Sequence, residues 1–389
     1  MNSVSNNLNS NITYKLFYFL VLVLFLRVDL VFENNTPTGG DMGAHIVAID
    51  TFIKDFIPNF QINGWSNDWF SGYPLYYFYF PLPAIITFFF NLIFPFGVAF
   101  KIMVVMSMIL VVYSIEKLMR NTPNQISIFG ATAGLFYVFT ESFTIYGGNL
   151  ASTLAGQFSF AYSLAFANLS IFYLIKSKNN FRFPISSTFL ALCLLSHLIP
   201  FIIYSPIYAF YWLSKKQNLN QRVLSISIFL GLVSRWSVSL LVNLEYTTNM
   251  SYTPFSKLED LIKEDILPMV FILISLLVVK GKNLIKNKTY NIFDFYIISS
   301  SVLLYFFVPE GALWNGRLIP FFNLGVVFLF FKAIEIFIED IDLFQHGVSL
   351  LTITFLGGTI YCLYIFYEKW SNNQSYLNLY VPIILLIMI

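Results

Sequence analysis

Repeated runs of about twenty consecutive apolar residues limit this chain more than any other feature. A helix needs roughly 20 such residues to cross a hydrocarbon core about 30 Å thick. Stretches near 14–32, 98–115, 126–140, 155–175, 223–242, 265–280, 292–308, 318–338 and 347–367 meet or approach that length. Of the 389 residues 57% are hydrophobic and only 11% charged, against roughly 25% charged in soluble domains. With no water in the bilayer to satisfy backbone groups, such runs fold as helices. The expected fold class is therefore all-α: a polytopic transmembrane protein of about 10–12 membrane segments, one membrane domain over residues 1–389.

Two stretches do not fit simple crossings. Residues 81–94 are short for one, and 184–213 are long for one and tight for two, with Pro200 and Pro206 inside. The final apolar run, 379–389, stops in mid-span, as in an incomplete chain or a terminal half-helix. The first run, Tyr14–Phe32, exceeds a signal-peptide core and lacks a small-residue cleavage site, so it reads as an uncleaved signal anchor. Cys193 and Cys362 both fall in apolar spans, which excludes a disulfide framework or a cysteine-rich zinc site.

Lys and Arg in short loops set orientation. Lys117 and Arg120, Lys176, Lys178 and Arg182, Lys215, Lys216 and Arg222, and Lys280–Lys288 form one set, placed in the cytoplasm together with the N-terminus. The acids Asp41, Asp50, Asp55, Asp68, Glu141, Glu245, Glu259, Asp260, Glu264, Glu310 and Glu368 form the opposite set. This sidedness requires residues 81–115 to make one net crossing, which a re-entrant 81–94 provides; the alternative, two full crossings, moves the basic loops 116–125 and 176–182 outside. The basic residues lie between helices, so a nucleic-acid partner is not expected.

Chemistry has few places to be in such a chain, and residues 33–80 are the largest of them. This first external loop opens with Gly39-Gly40-Asp41-Met42-Gly43-Ala44-His45 and runs through Trp65, Asp68, Trp69 and Gly72-Tyr73-Pro74 to Phe78-Tyr79-Phe80-Pro81-Leu82-Pro83. Residues 42–57 read as an amphipathic helix lying flat in the interface, apolar face in lipid. Asp41 would cap it, or serve as general base for an acceptor hydroxyl, with His45 one turn along. Asp50 and Lys54 suit an ordinary i,i+4 pair, Gly72-Tyr73-Pro74 a turn, and the aromatic run an interfacial belt or a sugar platform.

Further candidates lie at span ends predicted to share this face. They are Glu141, Asn149 after Gly147-Gly148, Gln157, His197, Trp314 and Arg317. Arg235 lies inside a span, where an unpaired guanidinium costs about 2.5–3.5 kcal/mol on insertion scales, so a lipid phosphate or a glutamate is expected beside it. His45, His197 and His346 are far apart, and His346 falls on the inner side, which argues against a three-histidine metal site; no metal ligands are assigned and no cofactor follows.

Five segments carry a resemblance. They are Gly40–His45; Trp69-Phe70-Ser71-Gly72-Tyr73-Pro74 with Phe78–Pro83; Ser152-Thr153-Leu154-Ala155-Gly156-Gln157-Phe158; Ser196-His197-Leu198-Ile199-Pro200; and Gly316-Arg317-Leu318-Ile319-Pro320. At these residues the chain resembles the 6-pyruvoyl-tetrahydropterin synthase-related membrane protein family. The three-histidine zinc of soluble pterin synthases has no counterpart here. The chain is also similar to GT-C class glycosyltransferases, which have an uncleaved first span and a large first external loop with an acid near its start. That resemblance implies a GT-C-like fold and transfer of a sugar from a polyprenyl-phosphate carrier at the outer face of the cell membrane. It puts Asp41 in the place of the catalytic acid, and makes Gln157 stand where some relatives carry an acid.

The leading expectation is thus a cell-envelope transferase in which Asp41 deprotonates the acceptor and His45 assists. Arg317 or Arg235 would steady the leaving phosphate, with Glu141, Asn149, Gln157, His197 and Trp314 around the substrate. The partners would be membrane lipid and a polyprenyl-phosphate-linked sugar. A lipid or solute transporter, predicting repeats and broken mid-membrane segments, and a non-catalytic membrane subunit are the alternatives.

Overall fold

The computed structural model describes residues 28–68, 71–119, 128–140, 143, 145–175, 181–215, 218–248, 253, 255, 257–261, 270, 273, 292–308 and 314–340. Trp69, Glu141, Glu310, His346 and Cys362, and most of the expected spans 14–32, 265–280 and 347–367, lie outside the described residues. The chain divides into two compact units, Asp29–Phe330 and the terminal segments Met1–Val28 with Phe331–Ile389. Of the second, Val28 and residues 331–340, the end of the last described helix, are described. The first unit carries the helical bundle and the candidate site.

The described elements are almost all helical. Helix α1, Met42–Thr51, continues as a π-turn over Phe52–Phe56; α2 is Leu82–Asn91, α3 Phe96–Met119 and α4 Ile128–Phe139. A short turn at Leu150–Ser152 and a second π-turn, Thr153–Gln157, lead into α5, Phe158–Ile175. Then come α6, Arg182–Ser196; α7, Leu198–Ser214; α8, Leu219–Val242; α9, Ile292–Phe307; and α10, Ile319–Asp340, entered through a 3₁₀ turn at Asn315–Leu318. The regions Phe96–Met119, Leu150–Ile175, Leu219–Val242 and Asn315–Ala333 are long and apolar enough to cross a membrane, and shorter apolar helices stand among them. One departure from the all-helical expectation is a small antiparallel ribbon, Gly64–Ser66 (β1) against Tyr73–Leu75 (β2), with Trp65 opposite Pro74. Tyr73 and Pro74, expected in a turn, belong to its second strand.

α5 is buried along nearly its whole length and forms the axis. Lipid tails give no hydrophobic drive for helices to associate, so packing and interhelical hydrogen bonds hold them. Tyr162 donates to the Met103 carbonyl (2.7 Å), Asn168 to Ser114 (3.1 Å), Tyr204 to Asn168 (2.5 Å) and Ser186 to the Ser170 carbonyl (2.7 Å). These bonds tie α3, α6 and α7 to α5. They also fix direction: α6 descends beside α5 and α7 returns, so 184–213 is a helical hairpin. Its turn is His197, whose extended backbone (φ −167°, ψ 137°) ends α6. Pro200 sits in the first turn of α7, where a missing N–H is tolerated.

α2 has ten residues, about 15 Å at 1.5 Å per residue, half a hydrocarbon core. Phe94, just beyond it, contacts Phe32, and Lys101 on α3 donates to the Leu30 and Glu33 carbonyls and to Asn35 (2.6–2.7 Å). Both flanks of α2 therefore stay at the loop end. At the far end Lys215 caps α5 through the Leu174 and Ile175 carbonyls, Lys117 lies over Phe172 and Arg222 over Trp212.

α1 corrects an expectation. Met42, Ile49, Phe52 and Phe56 are buried within the protein, so its apolar side faces the bundle and not lipid. Its start is docked on the second π-turn, where the Asp41 N–H donates to the Ala155 carbonyl at 2.9 Å. Gly40 permits the approach: its φ is +50°, and a Cβ there would lie 2.3 Å from the Ala155 oxygen. We expect Gly40→Ala to cost about 1–3 kcal/mol from backbone strain alone and more from the clash. Gly43→Ala meets nothing within 4 Å and gains up to about 1 kcal/mol from helix propensity. Thermal unfolding of the two variants in detergent makes the comparison, and equal behaviour would mean that the docking does not hold.

Candidate functional site

The docked loop, the second π-turn and the 3₁₀ turn before α10 meet at one end of the bundle. Asp41 stands at the cap position of α1, but its carboxylate makes no capping bond. It accepts instead from Gln157 Nε2 at 3.3 Å. Gln157 Oε1 in turn accepts from Arg317 Nη1 at 2.9 Å. Residues 116 and 160 positions apart are thus strung as carboxylate, amide and guanidinium. Arg317 Nη1 also donates to the Ile145 (3.2 Å) and Tyr146 (3.0 Å) carbonyls, and its guanidinium lies over the Trp314 ring (5.9 Å). Trp314 packs against Tyr146 (5.3 Å) and Phe255 (5.8 Å).

The π-turn aims Gln157. Gly156 has φ +106°, and a Cβ on it would lie 2.9 Å from the Asp41 Cβ and 3.2 Å from the His45 ring. With Gly156 left-handed, the segment is a kink between two helices, and the kink turns residue 157 toward Asp41.

His45 follows Asp41 by one turn, its ring between Phe158 (4.8 Å) and Tyr79 (5.5 Å). Burial lowers its pKa to about 4, while the Asp41 charge and the Gly156 backbone pull the other way. At neutral pH it is an uncharged imidazole. Burial also pushes the Tyr79 hydroxyl up to about 12, and the charges of Arg317 and Asp41 both act on it.

His197 reaches the same region from the hairpin turn. Its Nδ1 accepts the Ile199 N–H (3.2 Å) and its carbonyl accepts from Ser163 (2.9 Å). Its ring stacks on Phe80 (5.0 Å) and meets Phe160 edge-on (5.3 Å). Tyr79-Phe80 and Phe158–Phe160 thus form an aromatic wall touching both histidines. The sequence showed Tyr79 and Phe80 only as members of an aromatic run. Their signal was the prolines that follow, which fix where the loop re-enters the bundle.

The other candidates sit differently. Asn149 is fully buried; its Oδ1 caps the Ser152 N–H (2.9 Å) and its Nδ2 donates to the Thr140 carbonyl (2.7 Å). Gly147 and Gly148 lie against Phe160 and the Tyr137 hydroxyl, which is helix packing. Arg235 is exposed on α8 and its guanidinium donates to the backbone carbonyl of Phe60 (3.0 Å). Its neighbour Trp236 turns inward to the Tyr79 carbonyl (2.8 Å). Asp50 and Lys54 form the exposed i,i+4 pair (2.7 Å). In the aromatic run, Tyr76 and Phe80 are buried and Trp65 is exposed, so the run is neither wholly belt nor platform. Among the described residues no cluster of three or more His, Cys, Asp or Glu is placed to hold a metal ion.

The architecture is the all-α, multi-span helical fold expected from the sequence. Two similar solved structures are of ArnT from Cupriavidus metallidurans. The apo form superposes with a TM-score of 0.53 at 12% identity over 89% of this chain and 64% of that one. The form bound to undecaprenyl phosphate gives 0.51 at 11% identity over 96% and 74%. The chain thus spans slightly less than two thirds of the apo structure's length. No family profile and no curated protein matches the sequence, so the likeness establishes the fold alone.

A histidine-labelled sample titrated by NMR should show His45 with a midpoint near pH 4. Asp41→Asn should lower it further, because the carboxylate charge favours the protonated ring. An unchanged midpoint would mean that the two groups do not share a field.

Proposed function

We propose that the chain is a membrane glycosyltransferase of GT-C type, moving a sugar from a polyprenyl-phosphate carrier to an acceptor hydroxyl at the outer face. One observation carries this reading: a carboxylate and a guanidinium from distant segments are linked through a single amide, beside a neutral imidazole. Acceptor activation needs a base, and departure of a lipid phosphate needs a cation. The undecaprenyl phosphate bound to the ArnT structure supports a lipid phosphate as the carrier. The outer location and cytoplasmic N-terminus rest on the Lys/Arg asymmetry. The resemblance to the 6-pyruvoyl-tetrahydropterin synthase-related membrane family finds no support, since no family model matches the chain.

In this mechanism Asp41 accepts the proton of the acceptor hydroxyl as its oxygen bonds to the anomeric carbon. The bond from that carbon to the phosphate oxygen breaks, and the polyprenyl phosphate leaves with the electron pair. Arg317 stabilises the charge that develops there, the largest electrostatic contribution. His45 supplies a neutral polar edge beside Asp41, and Trp314 with Tyr146 presents aromatic faces next to the phosphate-binding arginine. His197 braces the wall opposite. Arg235 pins the loop to α8, and Asn149 caps the turn that leads to Gln157.

Membranes supplied with a panel of radiolabelled polyprenyl-phosphate sugars test the reading. Asp41→Asn should leave abundance unchanged, since the carboxylate caps nothing, yet lower transfer at least about 100-fold. Arg317→Gln should lower it by about 10²–10³. Transfer that survives Asp41→Asn rules this mechanism out.

A further inference from the structure

We infer that Gln157 is a positioning residue, a neutral spacer that prevents Asp41 and Arg317 from closing into an ion pair. The inference rests on the transferase reading above and assigns Gln157 to the enzyme's own machinery instead of to substrate contact.

The amide has one possible orientation. A guanidinium only donates and an ionised carboxylate only accepts, so Oε1 faces Arg317 (2.9 Å) and Nε2 faces Asp41 (3.3 Å). The position is imposed by the backbone: the Asp41 N–H to Ala155 bond and the left-handed Gly156 bring residue 157 between the two charges. Arginine and a carboxylate within reach of each other form strong, commonly bidentate pairs. Such a pair would occupy the lone pairs a base must offer and neutralise the cation meant for a phosphate. The amide accepts from one neighbour and donates to the other without adding charge. A glutamate would pair with Arg317 and repel Asp41; an apolar side chain would leave nothing between them. The spacer also explains how Asp41 is oriented although it makes no cap bond to its own helix.

Two measurements on the purified full chain test this: thermal stability, and binding of undecaprenyl phosphate as the probe. Gln157→Glu should lower Tm by about 2–4 °C through repulsion with Asp41. It should weaken the probe about tenfold relative to wild type at neutral pH, because the introduced carboxylate neutralises Arg317. That deficit should shrink as pH falls toward about 4.3, where a glutamate protonates. The exchange D41N/Q157E restores an amide–carboxylate bond with roles reversed. It should recover Tm but not affinity. Additive losses of Tm in the exchange, or an affinity loss in Q157E that does not respond to pH, would reduce Gln157 to a packing residue and overturn the proposal. If wild type fails to bind the probe, the lipid-phosphate reading falls, while recovery of Tm in the exchange still decides the spacer role.

Discussion

The bond from the Asp41 N–H to the Ala155 carbonyl underlies everything else at this site. It joins the loop leading into α1 to a turn more than a hundred residues later, and it forms only because Gly40 brings no side chain to the contact. Once made, it fixes three things together: where α1 begins, which way Asp41 points and how Gln157 is presented. Further hydrogen bonds between side chains follow from that backbone register. A site assembled this way is set by main-chain geometry, which is stiffer than loop side chains and suits groups that must be held near charge.

The surrounding bundle explains why the arrangement is tolerated in lipid. Tyr162, Asn168 and the Ser170 carbonyl on α5 bond to α3, α6 and α7, so these buried polar groups have partners across helices. Charged groups gather toward the ends, with Arg235 set further along α8. Lys117, Lys215 and Arg222 gather at one end, and the Asp41–Gln157–Arg317 string lies at the other. The histidines fit the same pattern: both sit against rings from the Tyr79-Phe80 and Phe158–Phe160 segments, in positions where an uncharged imidazole is favoured.

Much of the fold was legible because bilayer thickness leaves few options for a 20-residue apolar run. The short 81–94 segment and the long 184–213 segment were visible as anomalies, and they are a ten-residue helix and a hairpin broken at His197. Asp41, His45, Gln157 and Arg317 stood out as polar residues among apolar ones, and the structure places them together. Their linkage was not legible, since it depends on a π-turn and a left-handed Gly156 that no periodicity encodes. Asn149, at a span end, serves as a cap, and Arg235, inside a span, meets a backbone carbonyl, contacts that residue type and position did not announce. The orientation of α1 was misjudged because apolar residues at helical spacing do not say whether protein or lipid covers them.

The tether from Arg235 to Phe60 has a consequence for the surrounding bilayer. Arg235 lies seven residues before Val242, the last residue of α8, about 10 Å along the axis. A guanidinium and an exposed peptide carbonyl there both demand hydration. Beyond Arg235, the side chains of Val238, Leu241 and Val242 still face outward as apolar groups, so one hydrated point is set into an otherwise apolar flank of α8. A bilayer around such a helix has to bring water or a headgroup to Arg235 and Phe60.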